Sequence, residues 1–105
     1  MTAFERYMKE EHSGEHNAVF SKEIEKRFKI KGSEVRTIVN DLRCQGVPIC
    51  SSSKGYFYAT SKDEIEKTLN HLNSRVGKIT EARDGMENIL KKFEEENQGV
   101  IQGIC

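Results

Sequence analysis

The sequence predicts a mainly α fold that carries one small β-hairpin and ends in a long helix, and three observations predict it. Apolar residues recur at helical spacing in Thr2 to His12, Ser21 to Phe28 and Ser33 to Leu42. Between Gly46 and Ala59 the pattern changes: Gly46 and Pro48 stop the helix, a short apolar run follows, three serines interrupt it, and Gly55 leads into Tyr56, Phe57 and Tyr58. From Ser61 onward apolar residues return at alternating spacings of four and three as far as Phe93. The 105 residues suit one domain with one long appended element.

Thr2 and Glu5 stand in capping-box relation ahead of an amphipathic helix with Phe4, Tyr7, Met8 and either Glu11 or His12 on one face. "SGEHN" breaks that pattern and reads as a loop, and Ala18 to Phe20 is too short a run to assign. Ser21 is expected to cap the next helix, with Ile24 and Phe28 one turn apart, and Gly32 to supply the left-handed residue that closes it. Ser33 is expected to cap a further helix whose Val35, Ile38, Val39 and Leu42 fall at i, i+3, i+4 and i+7. Two short helices joined by a glycine turn make a helix-turn-helix unit.

The hairpin that follows is expected to run out over Val47 to Cys50, turn through Ser51 to Lys54 and return over Tyr56 to Ala59. A two-stranded hairpin is marginal in water, so this one must rest on the helices, through Ile49 and Phe57 on an inner face. Tyr56 and Tyr58 share the face opposite Phe57, where packing on the helices and stacking on a partner are both open.

Ser61 and Glu64 form a second capping box at the head of the long helix. Read as heptads, its d positions are Ile65, Leu72, Ile79, Met86 and Phe93, and its a positions are Leu69, Val76, Arg83 and Leu90. Only Arg83 among them is polar. Gly77 and Gly85 lie off this seam and each costs about 1 kcal/mol in a helix interior, so a break near either stays open. The organisation expected is a helical unit with its hairpin over residues 1–60, a dimerisation arm over 61–96 and a flexible tail over 97–105. The arm would pair with a second copy through Ile65, Leu69, Leu72, Val76, Ile79, Met86, Leu90 and Phe93. The alternative is a monomer in which the distal half folds back on Phe4, Tyr7 and Met8.

The formal charge is zero but unevenly placed. Residues 21–58 carry eight basic and four acidic side chains, whereas the stretches on either side are net acidic. The middle therefore offers a modest phosphate-facing surface, or only a solvated face. No apolar run has the length of a membrane span, and Met1 to Glu11 lacks a signal-peptide core, so a soluble cytoplasmic protein is expected. Cys44, Cys50 and Cys105 include no CxxC pair. A zinc site from Cys44, Cys50, His12 and His16 is disfavoured, because the thiols are too widely spaced and the histidines lie in another segment. No metal or cofactor is expected. There is no nucleophile motif, phosphate loop or paired carboxylates suited to a cleft, and His71 reads as a solvated helix residue, so the chain is not expected to be an enzyme.

Residues 21–59, within "FSKEIEKRFKIKGSEVRTIVNDLRCQGVPICSSSKGYFYA", resemble a winged helix-turn-helix DNA-binding domain of the biotin-operon-repressor and DeoR-like kind, as found in small phage or prophage proteins. The resemblance rests on Ile24, Phe28, Ile30, Val35 and Ile38, and on the passage from "LR-x-x-G-x-P-I" into "G-Y". The family commonly has a small residue where this chain has Glu25 and glycine where it has Lys29, with Gly32 three residues later. A turn longer than the shortest form is therefore expected.

The resemblance makes Ser33 to Gln45 the recognition helix and double-stranded DNA the partner. On a helical wheel Ser33, Arg36, Thr37, Asn40 and Cys44 oppose the apolar stripe. Arginine and asparagine match guanine and adenine edges in the major groove, so Arg36, Thr37 and Asn40 are the base-reading candidates. Arg43 on the flank and Lys22, Lys31 and Lys54 are the phosphate candidates, while Glu34 and Asp41 would repel phosphate. The function implied is that of a phage or bacterial transcriptional regulator. The alternatives are a protein-interaction module, since near-neutral charge weakens nonspecific DNA affinity, and a phage replication accessory protein.

Overall fold

A computed structural model of the chain describes residues 1–104, with side chains through Glu96. The tail expected at 97–105 lies outside the residues described in full. The elements are α1 (Ala3–Glu11), a 3-10 turn (Glu15–Asn17), α2 (Ser21–Phe28), α3 (Gly32–Cys44), β1 (Ile49–Ser52), β2 (Gly55–Tyr58) and α4 (Lys62–Ile104). The fold is mainly α with one antiparallel hairpin and a long C-terminal helix, as the sequence predicts. The chain divides into two units, Met1–Asn70 and His71–Cys105.

In the first unit the helical periodicities converge on one core. Phe4, Tyr7 and Met8 of α1, Val19, Ile24 of α2, Val35, Val39 and Leu42 of α3, and Ile49 of β1 are all buried together. Phe28 closes it with its ring 5.4 Å from Phe4 and edge-on to Tyr7 at 5.2 Å, spacings at which aromatic pairs attract. Thr2 caps α1 as expected, its hydroxyl accepting the Glu5 N–H at 3.1 Å.

The turn between α2 and α3 differs from expectation. Lys29, not Gly32, adopts the left-handed conformation (φ 54°), and its N–H donates to Glu25 O. Only Lys29, Ile30 and Lys31 separate the helices, so the turn is short. Phe20 and Lys31 serve as N-caps with extended backbones, in place of Ser21 and Ser33. Their carbonyls already accept the first helical N–H groups, Glu23 and Ile24 on Phe20, Glu34 and Val35 on Lys31. Ser21 is thereby left inside the helix, where its hydroxyl donates to Glu25 Oε2 at 3.0 Å.

The hairpin pairs Ile49 with Tyr58, Cys50 with Phe57, Ser51 with Tyr56 and Ser52 with Gly55. Ser51 and Ser52 thus belong to β1, and only Ser53 and Lys54 form the tip. Cross-strand partners share a face, so Ile49 and Phe57 lie on opposite faces, which corrects the single inner face expected. Both faces are covered. Ile49 enters the main core, with Tyr56 and Tyr58 packed against it. Cys50 and Phe57 are also buried, and beside them Thr68 Oγ1 of α4 accepts the Ser51 N–H at 3.3 Å and donates to Ser51 O at 3.4 Å. Burial pushes the Cys50 thiol pKa up, with the Thr68 hydrogen bond opposing it.

The run Ala18 to Phe20, unassigned from sequence, gives the hairpin a third edge. Val19 and Tyr56 exchange two backbone hydrogen bonds of 2.8 Å, and Gly14 N–H donates to Tyr58 O at 2.8 Å. A hairpin too weak to stand alone is in this way held by backbone pairing as well as by side chains.

Glu64 in the first turns of α4 ties the remaining segments together. Its Oε2 accepts the Glu15 N–H at 2.8 Å, and its Oε1 accepts the Thr60 N–H at 2.7 Å and the Thr60 hydroxyl at 3.0 Å. These bonds, the Thr60 N–H foremost, hold its carboxyl below the usual value of 4.5 against the opposing effect of burial. A lowered folded-state pKa means that the stabilisation is complete above the unfolded value and is lost as pH falls through the folded one. Glu64→Gln is therefore expected to lose stability at pH 7 but to lose less than the parent on going from pH 7 to pH 3. Urea titrations at the two pH values check this, and equal pH dependence in both proteins would contradict it.

In the second unit α4 continues without a break at Gly77 or Gly85, where an added Cβ would meet open space. Val76, Ile79, Met86, Ile89, Leu90 and Phe93 are exposed, as are Ile65 and Leu69 earlier in the helix. Leu72 is half-buried. No helix among the described residues is long and apolar enough to cross a membrane.

Candidate nucleic-acid interface

The candidate site is built on α3. Val35, Val39 and Leu42 anchor one side of this helix in the core, and Ile38 packs partly against it. The 3.6-residue repeat then fixes what the other side presents. Ser33, Arg36, Thr37, Asn40 and Cys44 are all exposed. Arg36 and Asn40 stand one turn apart, and neither side chain has a hydrogen bond or ion pair among the described residues. The Thr37 hydroxyl donates to Ser33 O at 3.1 Å, which spends its proton but leaves an oxygen able to accept.

An open depression of about 320 Å³ runs along the first turns of this face, lined by Ser33, Glu34, Thr37 and Ile38. It sets one carboxylate beside two hydroxyls and an apolar floor. A carboxylate in such a place repels phosphate but can accept from a base amino group such as that of cytosine.

Three of the expected phosphate candidates are exposed: Lys22 in the first turn of α2, Lys31 immediately before α3 and Lys54 at the hairpin tip. Arg43 has a different surrounding. Its Nε donates to Ile49 O at 2.8 Å and its Nη2 to the Ser51 hydroxyl at 3.1 Å. It ties the end of α3 to β1 and so sets where the hairpin stands beside the exposed helix face. Sequence alone missed this role, because helical periodicity places Arg43 on the flank but says nothing of the strand beyond Pro48.

The groups weighed for a metal do not assemble as ligands. Cys44 is exposed and Cys50 buried, His12 Nδ1 lies 2.8 Å from Asn17 O, and His16 Nε2 is 3.2 Å from the Asn17 amide nitrogen. No known protein family, curated protein or solved structure matches the chain.

Proposed function

We propose that this chain is a sequence-specific double-stranded DNA-binding protein of the winged-helix kind, acting as a phage or bacterial transcriptional regulator. The observation that carries the reading is the exposed face of α3, where Arg36, Thr37 and Asn40 stand together without internal partners for the arginine and asparagine. Leaving these side chains in water costs nothing in folding, and they are the types that recognise purine edges through paired hydrogen bonds. The helix bearing them is anchored through Val35, Val39 and Leu42, buried on its opposite side. In this reading α3 enters the major groove, with Arg43 holding the hairpin alongside and Lys22, Lys31 and Lys54 facing phosphate.

Duplex binding measured from about 50 to 200 mM salt tests the proposal, since releasing counterions from phosphate makes log K fall linearly with log salt. Lys54→Ala is expected to weaken binding evenly across sequences and to reduce that slope by about one unit. An unchanged slope would remove the hairpin tip from the contact surface. Binding to a protein partner that is indifferent to salt, with no duplex binding at low salt, would favour the interaction-module alternative instead.

A further inference from the structure

From Val76 to Phe93 the second unit, taken by itself, is a helix whose large apolar side chains are exposed. Val76, Ile79, Met86, Leu90 and Phe93 follow the a and d positions of a heptad, Ile89 flanks them, and all six are between 48 % and 65 % exposed. Arg83 occupies the a position between Ile79 and Met86, and its guanidinium is held to its own helix by Asp84 at 3.2 Å and Glu87 at 3.8 Å. The charge along this stretch is divided. Residues 71–83 carry Arg75, Lys78 and Arg83 against Glu81, while residues 84–96 carry Lys91 and Lys92 against Asp84, Glu87, Glu94, Glu95 and Glu96.

We propose that this stripe binds the same stripe of a second copy of the chain, in antiparallel orientation. The heptad spacing selects a helix of like repeat as occupant, since each a and d side chain needs a hole of four residues on a facing helix. The direction follows from charge. In a parallel pair in register every a residue meets its own copy, so two Arg83 guanidiniums would face one another, the basic blocks would lie side by side, and so would the acidic ones. In an antiparallel pair each a residue meets a d residue instead. Arg83 then rests its stem on Met86 of the second copy and keeps its guanidinium at the rim. The same register opposes Val76 to Phe93 and Ile79 to Leu90, and brings Arg75 beside Glu96 on the flank. The basic block of each copy lies along the acidic block of the other.

The inference goes beyond DNA binding and does not depend on it, so it is tested on the free protein. Sedimentation equilibrium of the parent at about 100 μM is expected to give twice the chain mass. Direction is read by disulfide trapping in a background with Cys44 and Cys105 replaced by serine, Cys50 remaining because it is buried. Under mild oxidation Val76→Cys and Phe93→Cys are each expected to stay unlinked alone and to link when mixed. Self-linking of each variant alone would overturn the antiparallel order in favour of a parallel one. A dimer mass without linking in the mixture would overturn it too, and a monomer mass would overturn the pairing itself.

Discussion

Gly55→Ala is expected to lose on the order of 3 kcal/mol or more of folding stability, a large share of what a domain of this size has. Two terms add. Gly55 has φ +117°, a backbone conformation that residues with a Cβ rarely adopt, and an added Cβ would lie 2.3 Å from Val19 O. That oxygen cannot retreat without losing the hydrogen bond it accepts from Tyr56 N–H at 2.8 Å. The clash therefore forces β2 off the Val19 edge and loosens the whole hairpin. Gly46→Ala is the control, because Gly46 also has positive φ (86°) but nothing within 4 Å of an added Cβ. It should cost only about 1–2 kcal/mol, the strain of the left-handed backbone alone. Urea unfolding of the two variants compares them directly, and equal losses would mean that the Val19 edge does not hold the hairpin.

Arg36→Ala and Asn40→Ala are expected to leave stability within about 0.5 kcal/mol of the parent, since both side chains are exposed and unengaged. In DNA binding each should cost about 1–3 kcal/mol at its own base pair, with preference relaxed there and kept elsewhere. The pattern matters more than the size. Binding competitions against duplexes altered one base pair at a time would show it, and variants that discriminate every duplex as the parent does would remove α3 as the reader.

The parts of this fold legible in the sequence are those with enough turns to show a period. Val35, Val39 and Leu42 predict both the buried side of α3 and, by subtraction, the exposed Arg36, Thr37 and Asn40. Phe4, Tyr7 and Met8 do the same for α1. What stayed hidden depends on partners distant in the chain. Val19 pairs with Tyr56 through backbone groups, which leave no mark on residue type. Lys29 takes the left-handed turn usually given to glycine, which only the packing of α2 on α3 decides. Thr68 is buried in a helix that reads as amphipathic without it, because its hydroxyl serves both polar groups of the Ser51 backbone. The hairpin is buried on both faces, Ile49 on one and Cys50 with Phe57 on the other, where the sequence alone led to a single inner face. In sequence Arg43 reads as a flank charge and Glu64 as half of a capping box, yet each also joins segments that meet only in the folded chain.

Selection of bound sequences from a random duplex pool by the purified parent protein tests the central claim most directly. The account predicts enrichment of a short motif over successive rounds, with a purine at positions whose preference disappears in Arg36→Ala or Asn40→Ala. A pool that emerges with the base composition it had at the start, at a salt concentration where the protein folds and remains soluble, would contradict it.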